Sequence, residues 1–84
     1  MKPIRLSKHA QEQAIERGAA EAEVKAAIRK GSREPATRGR EICRYNFVFK
    51  RKWQRKYYAI KQVAPVIKED DDEIIVITVY TFYF

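Results

Sequence analysis

The stretch Glu73–Phe84, E-I-I-V-I-T-V-Y-T-F-Y-F, decides how the rest of the chain is read. It is dominated by β-branched and aromatic residues and holds no glycine or proline, so it reads as a strand. It is apolar on both parities through Val79, the pattern of a strand covered on both faces, and is therefore expected near the centre of a sheet. Thr78 and Tyr80 share the parity of Ile74 and Val76.

Working outward, Glu69-Asp70-Asp71-Asp72 reads as a solvated acidic turn and Lys56–Val66 as a preceding strand. Arg51–Arg55 reads as a charged hairpin turn that presents Trp53 to solvent. Arg40–Lys50 alternates, with Ile42, Arg44, Asn46 and Val48 on one face and Cys43, Tyr45, Phe47 and Phe49 on the other. Arg33–Thr37 is a weak edge strand interrupted by Pro35, and Arg38-Gly39 a turn. Before Ser32 the period changes from two to that of a helix. Leu6, Ala10, Ala14 and Ile15 form one apolar stripe, with Ser7 as N-cap and Gly18 as the left-handed stop. Ala20, Val24, Ala27 and Ile28 form a second stripe over Glu21–Lys30, which ends at Gly31. The expectation is one α+β domain over residues 1–84, an αα-hairpin packed on a curled four-stranded antiparallel sheet in the order α-α-β-β-β-β.

The chain has 84 residues, enough for one core only. The lone cysteine, Cys43, excludes an internal disulfide. The N-terminal residues show no apolar signal-peptide core, and no apolar run is long enough to span a membrane, so a cytoplasmic location is expected. The net charge is +7 and is unevenly spread: Lys25–Lys61 holds thirteen basic and two acidic residues, the remainder five basic and nine acidic. A basic middle between acidic ends suits a polyanion. Arg44, Lys50, Arg51, Lys52, Arg55 and Lys56, with Lys61, supply that charge, and Trp53, with Tyr45, Tyr57 and Tyr58 nearby in sequence, offers platforms for unpaired bases. Tyr45, Phe47 and Phe49 also suit a core. There is no glycine-rich phosphate loop, nucleophile elbow or metal-ligand spacing, so no cofactor and no metal are expected.

The ordered motifs S-K-H-A-x-x-x-x-x-E-R-G (Ser7 to Gly18), E-x-E-V-x-x-A-I-x-x-G (Glu21 to Gly31), Arg44-Tyr45 and D-D-E-I-I-V-I-T-V-Y (Asp71 to Tyr80) resemble the domain-of-unknown-function 4258 family. That family looks like a relative of the small RelE/ParE-type toxins and of the barnase–colicin–RelE group. The resemblance implies an endoribonuclease, often the toxin half of a toxin–antitoxin pair. The expected partner is RNA, with messenger RNA and the ribosome as candidate targets. ParE-type relatives act on a protein target instead. This chain departs from the pattern at Ala20, where a serine or threonine N-cap is usual, at Gln13, where an arginine is frequent, and in the aromatic tail Thr81–Phe84.

Metal-independent cleavage to a 2′,3′-cyclic phosphate needs a base, an acid and cations around the phosphorane. The single histidine, His9, suits acid–base duty, and Arg17 lies two turns along the same helical stripe as a phosphate partner. Thr78 and Tyr80 complete the expected catalytic set, and a buried Thr78 hydroxyl needs a partner, either a phosphate or a neighbouring strand. The alternatives are a non-catalytic RNA- or ribosome-binding module and a ParE-like protein-interaction inhibitor. The strand Val79–Phe84 suits β-augmentation, by an antitoxin segment or in a homodimer.

Overall fold

A computed structural model describes residues 2–84. The elements run β1 (Ile4–Leu6), α1 (Lys8–Glu16), α2 (Glu21–Lys30), β2 (Ser32–Pro35), a 3-10 turn (Thr37–Gly39), β3 (Glu41–Trp53), β4 (Lys56–Glu69) and β5 (Ile74–Tyr83). The fold is α+β, but the sheet has five strands in the order β1-β5-β4-β3-β2 and is mixed. The additional strand is Ile4–Leu6, which runs parallel to β5 with Ile4 opposite Ile74 and Leu6 opposite Val76. Three residues carry too little periodicity to be read alone. The two consecutive helices make their main contacts with the sheet, α1 with β5 and β1, α2 with β3 and β4.

Both helices lie on one face of the sheet. Their buried residues Ala10, Ala14, Val24, Ala27 and Ile28 meet Cys43, Val63, Ile67, Val76 and Val79. Fully burying a valine or isoleucine contributes roughly 1.5–3 kcal/mol, so this single layer carries most of the stability. Tyr45 and Phe47 pack against the same cluster. Ile15 departs from its expected place in the stripe and is 79% exposed.

The first helix ends in a Schellman motif. Gly18 takes φ +76°, its N–H donates to the Ile15 carbonyl, and the Ala19 N–H donates to the Ala14 carbonyl. A side chain at Gly18 would also strike Trp53 and the Tyr83 hydroxyl at 2.7 Å. At the N-cap of α2, Ala20 has no side-chain acceptor, and Glu23 takes over by accepting from the Ala20 N–H at 2.9 Å. The same Glu23 oxygen binds the Lys61 ammonium at 2.8 Å, and that ammonium also donates to the Gly18 carbonyl at 2.9 Å. Lys61 is thus a buried clamp between the interhelical turn and β4, not part of the basic surface.

Between Val66 and Ile67 of β4, the register against β5 slips by one residue: Val66 faces Thr78 but Ile67 faces Val76. Ile77 is the extra residue of a β-bulge, which exchanges the two faces of β5. Ile74 and Val76 point into the core before it, and Val79, Thr81 and Tyr83 lie on that side after it. The two-sided apolar pattern of Glu73–Phe84 therefore records a change of face, since helices cover only one side. Thr78 and Tyr80 accordingly leave the face of Ile74 and Val76 for the open one.

Removing one member of a buried ion pair strands the other's charge, at about 3–5 kcal/mol. Glu23→Ala is expected to lower the urea unfolding free energy by about 3 kcal/mol. Lys61→Met keeps the volume and strands only Glu23, whose 25% exposed side chain can be hydrated, so it is expected to cost clearly less.

Candidate functional site

The outer edge of β5 is covered in two ways. β1 pairs with it only through Val76, and beyond that point α1 lies along the edge. The Ser7 N–H donates to the Val76 carbonyl at 3.1 Å and its hydroxyl to the Ile77 carbonyl at 3.3 Å. One turn further on, Ser7 caps α1 by accepting from the Ala10 N–H. At the far end Arg17 Nη1 donates to the Val79 carbonyl at 2.7 Å. In return the Arg17 carbonyl accepts from the Thr81 hydroxyl at 3.0 Å and the Tyr83 hydroxyl at 2.7 Å. These bonds satisfy edge groups that would otherwise be unpaired. From Ile74 to Val79 this edge is covered, while the residues after Val79, the segment expected to suit β-augmentation, have no strand beside them on that side among the described residues.

The arrangement brings His9 and Arg17 to the rim of the open face. His9 Nε2 lies 3.4 Å from Thr78 Oγ1, and the Arg17 guanidinium carbon sits 5.0 Å from the centroid of the Tyr80 ring. Both side chains come from α1, eight residues apart on one stripe, and both hydroxyls are turned outward by the bulge. Beside them is an open concavity of about 400 Å³ lined by Ala36, Thr37, Arg40, Ile42, Val66, Thr78 and Tyr80. Its cation, Arg40, did not stand out in the sequence. The signal was its parity with Ile42 and Arg44, which places all three toward the open side.

Arg44 lies on this same face, its guanidinium carbon 5.6 Å from the Phe82 centroid. It is not free: Nε pairs with Glu34 at 3.0 Å and Nη1 donates to Gln62 Oε1 at 3.1 Å. Lys50, Arg51, Lys52, Arg55 and Lys56 are exposed and form no ion pair among the described residues. They crowd the β3–β4 hairpin, whose strands run on to Trp53 and Lys56, so that Gln54 and Arg55 alone make the turn. Both take positive φ, +50° and +72°, the type I′ geometry that suits the strand twist.

Two of the expected base platforms are elsewhere. Tyr45 faces the helices, half-buried, edge-on to Phe47 at 5.1 Å. Trp53 is not an exposed tip: it stacks on Tyr83 at 5.1 Å and 14° between planes, against Gly18. Phe49 and Tyr58 also pack on Tyr83, so this end of the helix face is an aromatic cluster. Among the described residues no three His, Cys, Asp or Glu side chains converge as metal ligands. Cys43 is fully buried, and burial raises its thiol pKa.

Over residues 6–81 the sequence matches the family model described as Domain of unknown function (DUF4258), and the chain belongs to that family. No curated protein and no solved structure matches it.

Tyr83 holds the Arg17 carbonyl in place, and burial raises its phenol pKa above the ordinary value. A phenol kept neutral by the fold contributes stability that is full below about pH 10, and that is lost as pH rises toward its raised folded pKa. Urea midpoints measured from neutral pH to about pH 10.5 should fall more for the wild type than for Tyr83→Phe, which lacks the ionising group.

Proposed function

We propose that this DUF4258 domain is a metal-independent endoribonuclease of the RelE/ParE toxin kind, acting in the cytoplasm on messenger RNA and restrained by an antitoxin protein. The observation that carries this reading is two neighbouring pairs at the rim of a cationic, uncovered sheet face, His9 with Thr78 and Arg17 with Tyr80, whose strand members also line a concavity. In the reaction the ribose 2′-oxygen attacks phosphorus and the P–O5′ bond breaks, leaving a 2′,3′-cyclic phosphate and a 5′-hydroxyl. His9 takes the 2′-OH proton. Thr78 fixes the imidazole through Nε2 and leaves the second ring nitrogen for the transfer. The Arg17 guanidinium, anchored through one nitrogen, keeps further N–H groups for the phosphorane oxygens. Tyr80 is the neighbouring hydroxyl for the departing 5′-oxygen. Arg40 and Arg44 draw the backbone onto the face, and the hairpin cations extend its reach.

A second reading follows from the same side chains. Arg17 is already bonded to Val79, and a lone imidazole at 3.4 Å from its partner is also what a non-catalytic RNA-binding face would contain.

Incubation of purified protein with single-stranded RNA and with translating ribosomes separates the two. Catalysis predicts cyclic-phosphate ends and a loss of roughly 100-fold or more in His9→Ala, the usual scale for a general base. Salt-sensitive binding without cleavage in either context gives the second reading. Cleavage unchanged in His9→Ala overturns the assignment of the base.

A further inference from the structure

Beyond the bulge, β5 continues past Thr78 with Tyr80, Phe82 and then Phe84 on the open side. Their cross-strand partners there are Ala64, Gln62 and Ile60. These rings are 42%, 41% and 62% exposed, while the other parity, Val79, Thr81 and Tyr83, faces the helices. The core therefore does not use them. Three aromatic side chains in line on one uncovered strand face make an apolar track, and monomeric domains leave such tracks bare mostly at binding sites.

We infer that Tyr80, Phe82 and Phe84 form a base-stacking track for an unpaired RNA strand, leading away from His9 and Thr78 along β5; this rests on the RNA reading above. Three features select that occupant. The track carries cations in place: Arg17 lies over the Tyr80 ring and Arg44 over the Phe82 ring, each where a phosphate beside a stacked base would need one. Five of the eleven acidic residues are in the distant turn Glu69–Glu73, and Glu34, beside the track, is paired with Arg44. The spacing is selective too. Alternate residues of a strand stand roughly 6.8 Å apart, twice the ~3.4 Å rise of stacked bases in a duplex strand. A helical stack cannot place successive bases on successive rings, whereas an extended strand with one base per ring can. The aromatic tail and the outward turn of Tyr80 thus have one explanation, a substrate taken single-stranded and unstacked. A protein segment added as a strand would find the edge of β5 closed by α1 as far as Val79 and would have only the few residues after it to pair with.

Fluorescence anisotropy with 2′-O-methyl RNA, which cannot be cleaved by 2′-OH attack, tests the track separately from catalysis. The probes are a labelled single strand and a blunt duplex of equal length. The wild type is expected to prefer the single strand. Phe82→Ala and Phe84→Ala are each expected to weaken that complex by roughly 5- to 100-fold with little change on duplex, the range for loss of one stacked base. Phe82→Leu, which keeps an apolar side chain, should lose binding as well, and Phe82→Trp should retain it. All variants are compared at equal folded fraction by circular dichroism. Equal affinity for both probes, with no loss in the alanine variants, overturns the track while leaving an RNA-binding protein, and assigns the aromatic face to another occupant such as a protein segment. Failure of the wild type to bind either probe at low salt overturns the RNA reading itself.

Discussion

Among the described residues, β5 has no neighbouring strand on its outer side beyond Val76, and its carbonyls there need partners. A helix that lies along a strand edge cannot supply a ladder of backbone donors. Ser7 and Arg17 supply the donors at the two ends of α1, to Ile77 and to Val79. Thr81 and Tyr83 return the contact by donating to the Arg17 carbonyl. That constraint fixes the depth and direction of α1. It thereby sets His9, in the first turn of the helix, over Thr78, and Arg17, at its end, over Tyr80. The bulge at Ile77 does the complementary work by turning both hydroxyl residues outward. The candidate site is a by-product of how one strand edge is closed.

Much of this was legible and some was not, for identifiable reasons. The two helices, Gly18 as the left-handed stop and the alternation of Ile42–Phe49 are local signals, and each survives in the fold. Ile4–Leu6 has meaning only beside Ile74–Val76, a pairing across some seventy positions that leaves no local trace. β5 itself has no glycine or proline at the bulge, and the one marker, Pro65, lies in the paired strand next to the register slip, so Ile74–Val79 reads as apolar on both faces when it only changes sides. Lys61 sits among basic residues in sequence, yet Glu23 and the Gly18 carbonyl, both distant in sequence, make its burial tolerable. Trp53 was misplaced because its cationic neighbours argue for exposure, while its stacking partner Tyr83 lies thirty residues away.

The charge distribution gives the domain a direction. β4 runs the length of the molecule, whose longest dimension is 41 Å, from the unpaired cations of the β3–β4 hairpin to the acidic turn before β5. Opposite charge at the two ends orients a protein in the field of a polyanion before contact is made. At the acidic end Asp70 accepts from the N–H groups of Asp72 and Glu73, which lowers its carboxyl pKa, and Lys2 pairs with Glu69. On the proposed reading those acids would repel a nucleic acid, and the hairpin end and the open face would be its approach.

The central claim is that the uncovered sheet face, and not the helical one, meets RNA. Backbone amide shifts followed by NMR during titration with an uncleavable single-stranded RNA test it directly. The account predicts the largest changes at His9, Thr78, Tyr80 and Phe82, with α2 and the turn Glu69–Glu73 silent. Changes confined to α2 or to that acidic turn would contradict it.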